Sequence, residues 1–423
     1  MPHKLLVFNP SNYERGGWVT LPWEPIARET GFDSRDLLLY QDVGTPLPYQ
    51  VDQIDPADPS RDTLSFFLSR PLNRGDEHYK DPKGVVFIKG KASGRKERAG
   101  PPEQSRDYEF SNMRMHVRLN LTPESEDGKG DWYSGSARSI RLEKLRDVLE
   151  DGSLSERKEF LDYFHRMFHL GHDSQKRAMQ LDSIRLTHLD PDSDAYQQIN
   201  LYNLPYHLVS ENSGPVRKCV TIASEPFYYN YSSPSDLKET QLQCELYRVF
   251  SLYEDREYVL EELFVKVKPP EGFSAGDDFN LFFEARYFTY MKMGSPRLCS
   301  YDYVPDWFAM GDLDSQLVYG FACDVHVRKI EHPDPSFPDY HNRENSFTWN
   351  LHPCKAATCL HLFSEFDPTS LPSGQNPLAN LEMLSELAVK GFEYMAGHSW
   401  YEIIYKPLYA RLAAPGEDFP QGE

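Results

Sequence analysis

Three polar residues at alternate positions, Asp324, His326 and Arg328, are candidates for proton-transfer chemistry. They lie in the run 323–328, and in a strand they would share one face, opposite the two intervening valines. A histidine near charged neighbours can be tuned to take or give a proton at neutral pH. We therefore predict His326 as a catalytic residue and Asp324, Arg328 and the separate His207 as substrate-binding residues. The alternative is a solvated strand face.

A second cluster combines a carboxylate, a guanidinium and aromatic rings. Glu284 and Arg286 would share one face of a strand, while Tyr287 takes the other. Trp307 or Tyr303, further along the chain, could stack on a sugar ring, and Arg286 could clamp a carboxylate. We predict Glu284, Arg286 and Tyr287 as catalytic and the two aromatic residues as substrate-binding. A salt-bridged strand beside a tyrosine-rich core is the alternative.

Two sets of residues have spacings that a metal site could use, although packing explains each more simply. One is the series His165, His169 and His172, one face of a helix if Gly171 does not end it. The other is a symmetric set that would meet across a hairpin, as a zinc clip, a cross-strand disulfide or plain packing: His352, Cys354, Cys359 and His361. We assign no metal ligands and expect no cofactor.

Composition narrows the range of functions. The 423 residues carry a net charge of −20, which repels phosphate backbones, so we expect no nucleic-acid partner. The chain has 26 Tyr and 25 Phe, a content that suits both β-sheets and sugar binding. Neither a phosphate-binding glycine loop nor a GxSxG motif occurs. Nucleotide, redox and serine-hydrolase chemistry are therefore not indicated.

The elements that must position these residues are mostly strands. Short apolar runs separated by Pro, Gly and Asp predict a small β-sandwich over 1–122. Helical spacing from Ser139 to Leu149 and again after Ser155 predicts a helical insertion or linker over 123–183. Strand patterns then predict a large antiparallel supersandwich over 184–423, closed by an amphipathic helix from Ala379 to Ala396. The predicted fold class is mainly β.

The opening of the chain resembles a known family. An apolar strand ends in Asn9-Pro10, Arg15 follows, and the run 42–51 reads DVGTPLPYQV. This order is similar to the start of the β-sandwich region of family 38 α-mannosidases and related carbohydrate-active enzymes. The runs 210–224 and 244–267 resemble the large sandwich of those enzymes. The resemblance implies the all-β architecture and a link to sugars. The family's catalytic and zinc residues lie in a barrel with no counterpart in this sequence.

Two functions follow as hypotheses. The first is a carbohydrate-active enzyme, a lyase, epimerase or glycosidase, working in the cleft of the supersandwich, where related folds use His, Tyr and Arg or Glu. The second is a non-catalytic carbohydrate-binding or assembly subunit of a glycosidase. Expected partners are a carbohydrate and either a second copy or a catalytic subunit. The short apolar run at the N-terminus and six cysteines without a disulfide pattern predict a cytoplasmic protein with no membrane partner.

Overall fold

The fold is mainly β and antiparallel, as predicted. It was obtained as a computed structural model, which describes residues 3–41, 46–75, 82–92, 102–122, 134–142, 179–189, 194–201, 204–232, 239–254, 256–273, 280–292, 299–300, 307–312, 317–325, 327–331, 344–365 and 400–417.

The chain divides into two compact units. Unit 1 comprises residues 1–102, 209–221 and 398–423, and unit 2 comprises 103–208 and 222–397. Unit 1 thus gathers three segments that are far apart in the sequence. Hydrophobic periodicity is a local property, and it gives no sign of such an arrangement. The domain boundaries stated above remain predictions.

The strands of the described part up to residue 142 are short and separated by turns. They are β1 (His3–Phe8), β2 (Arg15–Pro22), β3 (Phe32–Tyr40), β4 (Pro46–Leu47), β5 (Tyr49–Asp52), β6 (Thr63–Leu72), β7 (Gly84–Ala92), β8 (Asp107–Ser111), β9 (Met115–Asn120) and β10 (Ala137–Leu142).

The later strands include the longest ones. They are β11 (Gln180–Thr187), β12 (Gln197–Asn200), β13 (Tyr206–Ser213), β14 (Arg217–Ser224), β15 (Phe227–Ser232), β16 (Glu239–Tyr253), β17 (Tyr258–Lys268), β18 (Phe282–Lys292), β19 (Cys299–Ser300), β20 (Trp307–Asp312), β21 (Leu317–Cys323), β22 (Val327–Glu331), β23 (Glu344–Leu351), β24 (Ala356–Glu365) and β25 (Tyr409–Leu412).

One α-helix interrupts the first strands, α1 (Trp23–Thr30). It buries Trp23 and Ile26, which are three residues apart and therefore share a face. Gly31 ends the helix with a φ of 67°, and its N–H bonds to the carbonyl of Ala27. Glycine adopts this left-handed conformation without a steric cost. The sequence analysis predicted only strands in this region, because a helix of eight residues shows little helical periodicity of apolar residues.

Unit 1 has a core filled from two sheets. One sheet has the order β25-β1-β7-β3-β4 and the other the order β2-β6-β5. Apolar side chains from both sheets and from α1 meet in one cluster with Leu408, which precedes β25. Two sheets that each bury one face form a sandwich. In the first of these sheets, β25 pairs with β1, and Leu5 lies opposite Leu412.

Unit 2 contains two sheets that share an interior. A five-stranded sheet has the order β12-β11-β18-β23-β22. The second sheet has nine strands, and those that lie within unit 2 run β16-β17-β24-β21-β20-β19, with β15 also paired to β16. Tyr287 on β18 bonds to Glu261 on β17, so the facing sides of these sheets touch. A smaller sheet has the order β10-β9-β8.

The first turn of the helix predicted over 139–149 is wrong. Residues 139–142, predicted as the first turn of a helix, belong to β10. Their pairing with β9 supplies the backbone hydrogen bonds that a helix would have made, so the tertiary partner overrides the local spacing. Of the rest of the predicted insertion, residues 123–133 and 143–178 lie outside the described residues, and 180–183 belong to β11. The predicted helix 379–396 also lies outside the described residues.

No helix in the described part of the chain is long and apolar enough to cross a membrane.

Candidate functional site

Asn9, from the Asn-Pro motif, is a buried hydrogen-bonding anchor. Its amide nitrogen donates to the carbonyls of Tyr13, Leu72 and Asn73 at 2.8, 3.2 and 3.1 Å. Its side-chain oxygen accepts from the backbone N–H and the hydroxyl of Ser11. Only an amide both donates and accepts in this way, which explains why asparagine and not aspartate stands here. The motif therefore fixes the loop after β1 against the end of β6.

Arg15 extends this anchor to the C-terminal segment. Its guanidinium donates to the carbonyl of Glu402 at 3.1 Å and to the carbonyl of Lys406. These carbonyls belong to a π-helical turn, Trp400–Tyr405, and to the residue after it. The N–H of Lys406 bonds to the carbonyl of Tyr401 at 2.8 Å, the i to i+5 pattern of a π-helix. Such turns are rare and occur often at functional sites.

The π-helical turn carries aromatic rings that lie close to one another at the surface of unit 1. Tyr405 lies parallel to Trp400, with centroids 4.8 Å apart and an interplanar angle of 18°. Tyr401 is 5.9 Å from Tyr405, and Tyr13 is 6.1 Å from Tyr401. Tyr405 is 57% exposed. We call Tyr13, Trp400, Tyr401 and Tyr405 the aromatic cluster.

Charged groups border the aromatic cluster. The Lys406 ammonium lies 5.5 Å from the ring centre of Tyr405 and 5.8 Å from that of Tyr401, within the range of a cation–π contact. The Tyr13 hydroxyl donates to the Glu402 carboxylate at 2.7 Å. Burial, and after it the bond to Glu402, raises the pKa of Tyr13 to about 12. Tyr13 therefore remains a neutral donor at physiological pH and holds Glu402 in place.

The second part of the resembling motif is also an anchor within unit 1. The Gln50 side-chain oxygen accepts from the N–H groups of Arg217 and Val216 at 3.2 and 3.4 Å, and its nitrogen donates to Asp52 at 2.5 Å. Arg217 forms a buried ion pair with Asp52 at 2.7 Å and donates to Thr63 at 2.8 Å. The residues that resemble the family therefore build the architecture.

Unit 2 contains a polar network centred on Glu261. One carboxylate oxygen accepts from Arg248 at 2.5 Å, and the other accepts from the Tyr287 hydroxyl and interacts with His361, each at 2.9 Å. The four residues are 0% exposed. Arg248 also donates to the carbonyls of Gly135 and, at 2.6 Å, of Met179.

The network keeps its charges because they are paired. Burial by itself would raise the pKa of Glu261, but the charge of Arg248 and the hydrogen bond from His361 outweigh it, and the pKa lies below the usual 4.5. Burial would lower the pKa of Arg248, and the Glu261 charge more than reverses this effect. Burial is the main cause that raises the pKa of Tyr287 well above 10.0, and Cys359 and Glu261 raise it further. Glu261 and Arg248 therefore form a buried ion pair, and none of the four side chains has exposed surface.

The structure separates the residues of the predicted Glu284 cluster. Glu284 and Arg286 lie on the face of β18 opposite Tyr287, where Glu284 is buried and Arg286 is 3.5 Å from Asp182. Tyr287 lies on the inner face and bonds to Glu261. The alternation predicted from the sequence is therefore correct. It also prevents these three side chains from converging on one substrate, because they point to opposite faces of the sheet.

The predicted continuous strand 323–328 is wrong. β21 ends at Cys323 and pairs with β24 in the nine-stranded sheet, whereas β22 begins at Val327 and pairs with β23 in the five-stranded sheet. The Asp324 N–H bonds to the Thr358 carbonyl, and the Asp324 carboxylate accepts from the Thr358 N–H at 2.7 Å. The chain thus changes sheets here. Asp324 and Arg328 do not share a face of one strand, and burial raises the pKa of Asp324.

The other predicted site residues are dispersed. Trp307 begins β20 and is half-buried, and His207 on β13 is also half-buried. His326, Tyr303 and the set His165, His169 and His172 lie outside the described residues. The roles assigned to all of these residues therefore stay predictions.

The symmetric His and Cys set does not form the expected hairpin. Cys354 pairs with Phe283, and Cys359 on β24 pairs with Glu261 on one side and Cys323 on the other. His361 belongs to the buried network. Within the described ranges, no group of three or more His, Cys, Asp or Glu side chains has the geometry of a metal site.

The aromatic cluster was not identified in the sequence. Its signal is the density of rings in the run 400–409, WYEIIYKPLY. Rings at this spacing also suit a buried amphipathic helix, and the contribution of Tyr13 depends on a contact across almost the whole chain. Its exposure became visible only in the structure.

Comparisons with known proteins give a weak structural likeness. No family model matches the chain, and no curated protein does. A glycosyl hydrolase family 38 protein from Enterococcus faecalis matches with a TM-score of 0.39 at 8% identity, over 98% of this chain and 47% of that one. An α-mannosidase from Enterococcus faecalis V583 matches with a TM-score of 0.37 at 9% identity, over 98% and 46%.

A 4-α-glucanotransferase from Thermococcus litoralis matches with a TM-score of 0.31 at 12% identity, over 63% of this chain and 40% of that one. The chain therefore spans less than half the length of these solved proteins. At such scores the likeness assigns neither a family nor an activity to this protein.

Proposed function

We propose that this protein binds carbohydrate through the aromatic cluster and acts as a non-catalytic β-sandwich module. The observation that carries the proposal is the exposed Tyr405 ring, stacked on Trp400 in a π-helical turn. Sugar rings present C–H faces to aromatic rings, and polar groups at the edge can bond to hydroxyls. Glu402 and Lys406 border the rings in this way.

The cluster is prepared for binding before any ligand arrives. Arg15 holds the carbonyls of Glu402 and Lys406, and Tyr13 holds the Glu402 carboxylate. Ordering side chains on binding costs about 0.5–1.5 kcal/mol for each one. Because the anchor from β2 orders this turn in advance, a ligand meets rings that are already fixed.

The enzymatic alternative is a lyase, epimerase or glycosidase with His326, Tyr287, Glu284 and Arg286 as its catalytic residues. A catalytic site must bring acid, base and substrate-binding groups within hydrogen-bond reach of one place. Tyr287 instead bonds to Glu261 in the interior, while Glu284 and Arg286 lie on the opposite face of the strand. These positions favour binding over catalysis. The part of the alternative that concerns His326 rests on the sequence pattern. A cytoplasmic location and a partner catalytic subunit are further proposals.

The test is a panel of neutral and acidic oligosaccharides offered to the full chain. Binding is measured by calorimetry, and turnover is followed through reducing ends and through ultraviolet absorbance from unsaturated products. We expect binding without turnover. Tyr405→Ala should weaken binding about tenfold, since aromatic contacts contribute about 0.5–1.5 kcal/mol beyond buried area.

The matched control is Tyr228→Ala, which removes another exposed tyrosine, located in unit 2. This variant should bind as the unaltered protein does. Product formation in the panel would contradict the non-catalytic proposal, and equal binding by the Tyr405 and control variants would contradict the assigned site.

A further inference from the structure

Two cysteine side chains meet inside unit 2. Cys323, the last residue of β21, is the register partner of Cys359 on β24. Their sulfur atoms are 3.6 Å apart, and the residues are 1% and 0% exposed. Neither forms a disulfide in this structure. Two thiols at this distance on neighbouring strands are in position for a bond between them.

The backbone geometry suits such a bond. The Asp324 N–H donates to the Thr358 carbonyl at 3.1 Å, so the pair formed by Asp324 and Thr358 is hydrogen-bonded. In an antiparallel ladder the next pair is then not hydrogen-bonded, and its Cα atoms are about 4.5 Å apart. Disulfides span Cα distances of about 4.4–6.8 Å. The sulfurs need to approach to about 2.05 Å, which side-chain rotation can supply.

Cys354 and Cys244 are directed to other groups. Cys354 pairs with Phe283, and its thiol is directed to the Phe283 carbonyl at 3.7 Å. The Cys244 thiol is directed to the carbonyl of Leu242, its neighbour on the same strand. The register therefore favours one pairing, Cys323 with Cys359.

We propose that Cys323 and Cys359 form an oxidisable dithiol whose oxidant is a peroxide. The Cys323 thiol loses its proton as its sulfur attacks one peroxide oxygen; the O–O bond breaks, the departing hydroxide takes that proton and leaves as water, and Cys323 becomes a sulfenic acid. The Cys359 sulfur then attacks the sulfenic sulfur; the S–O bond breaks, and a second water leaves with the thiol proton. Two thiols are oxidised by two electrons, and the peroxide is reduced to two waters.

The order of these steps follows from the surroundings. Burial raises the pKa of Cys359, so this sulfur is held as a thiol. Cys323 is at the end of its strand, beside the exposed Asp324 and the N–H of Val325, which donates to the Cys323 sulfur at 3.4 Å. The exposed Asp324 places the Cys323 side of the pair next to solvent, whereas Cys359 lies within β24. Cys323 is therefore the attacking sulfur and Cys359 the resolving one.

The new bond would fix the point where the chain leaves the nine-stranded sheet. Residues 324–325 follow directly, and β22 belongs to the other sheet of unit 2. The two cysteines are 36 residues apart, and closing a loop of this length restricts the unfolded chain. Oxidation should therefore raise the melting temperature of the protein.

The test uses the full chain, titrated with hydrogen peroxide, blocked with N-ethylmaleimide and digested without reductant. Mass spectrometry should find a peptide joining Cys323 to Cys359, and dithiothreitol should remove it. A bond from Cys323 to Cys354 would overturn the proposal. So would sulfinic acids at Cys323 without any cross-linked peptide.

Two variants extend the test. Peroxide should raise the melting temperature of the unaltered protein and of Cys244→Ser by a few degrees, and leave Cys359→Ser unchanged. An equal rise in Cys359→Ser would overturn the proposal. If Cys359→Ser does not fold, the peptide map of the unaltered protein still shows whether Cys323 is joined to Cys359, joined to Cys354 or oxidised without a cross-link.

Discussion

At the scale of single residues, Glu261 is a fully buried carboxylate that contacts three side chains, Arg248, Tyr287 and His361. It lies in the interior between two sheets and accepts from Arg248, a buried cation that depends on it for charge compensation. Removing one partner of a buried pair leaves an uncompensated charge, which costs more than the intact pair contributes. Glu261 is therefore a stabilising residue of unit 2.

Replacing Glu261 with Gln should lower the free energy of unfolding by about 3–5 kcal/mol, because Arg248 keeps its charge without the carboxylate. Chemical denaturation followed by circular dichroism measures this change. Glu271→Gln, at an exposed position, is the control and should change stability by less than about 0.5 kcal/mol. Similar losses of stability in the two variants would contradict a stabilising role for the Glu261–Arg248 ion pair.

The same carboxylate makes stability depend on pH. The pKa of Glu261 is lower in the folded protein than its usual 4.5, so its contribution is complete above pH 4.5. The contribution disappears as the pH falls through the folded pKa, because the protonated group no longer compensates Arg248. Denaturation measured at a series of acidic pH values should show a shallower loss of stability in Glu261→Gln. Parallel pH profiles would be inconsistent with this account.

At the scale of elements, the π-helical turn Trp400–Tyr405 depends on contacts from the start of the chain. Asn9 orders the loop after β1, and Arg15 holds the carbonyls of Glu402 and Lys406. The planar guanidinium of arginine bonds to both carbonyls at once. Lysine carries a single ammonium group and cannot reproduce this geometry. The position of the aromatic cluster is thus set by an arginine almost 390 residues away.

Arg15→Lys should loosen the turn while leaving the sheets folded. Hydrogen exchange at the Lys406 amide, which bonds to Tyr401, should become at least tenfold faster. Exchange within β16 and β17 in unit 2 is the internal control and should not change. Unaltered protection at Lys406 would show that Arg15 does not hold the turn.

The elements also show what sequence patterns can reveal. Alternation placed Glu284 and Tyr287 on opposite faces of β18, because a strand has a fixed period of two. The same reasoning failed at 323–328, where the chain bends at Asp324 and changes sheets, an event that depends on the pairing of distant strands. The Glu261 network could not be predicted for the same reason: its members lie on different strands, and only the pairing and packing of those strands brings them together. The Asn9 motif was recognised, but its role as an anchor required the positions of Leu72 and Arg15.

At the scale of the whole molecule, the chain carries a net charge of −20, and the proposed binding site consists of aromatic rings and a few polar groups. This field repels anionic ligands over a distance that shrinks with added salt. The proposed ligand is therefore a neutral sugar. The two compact units each hold a buried ion pair, Asp52 with Arg217 in unit 1 and Glu261 with Arg248 in unit 2.

Among oligosaccharides of equal length, neutral ones should bind more tightly than those containing uronic acids. Raising the salt concentration should narrow the difference, because screening weakens repulsion and leaves ring stacking unchanged. Calorimetric titrations at low and high salt measure both effects. Tighter binding of the acidic sugar at low salt would mean that a local cationic site dominates.

The most direct measurement is a calorimetric titration of three proteins, the unaltered chain, Tyr405→Phe and Tyr405→Ala, with the best neutral oligosaccharide of the panel. If the exposed ring stacked on Trp400 is the binding surface, the phenylalanine variant should retain its affinity within about twofold and the alanine variant should lose about tenfold. Equal affinities for all three proteins would contradict the proposed carbohydrate site.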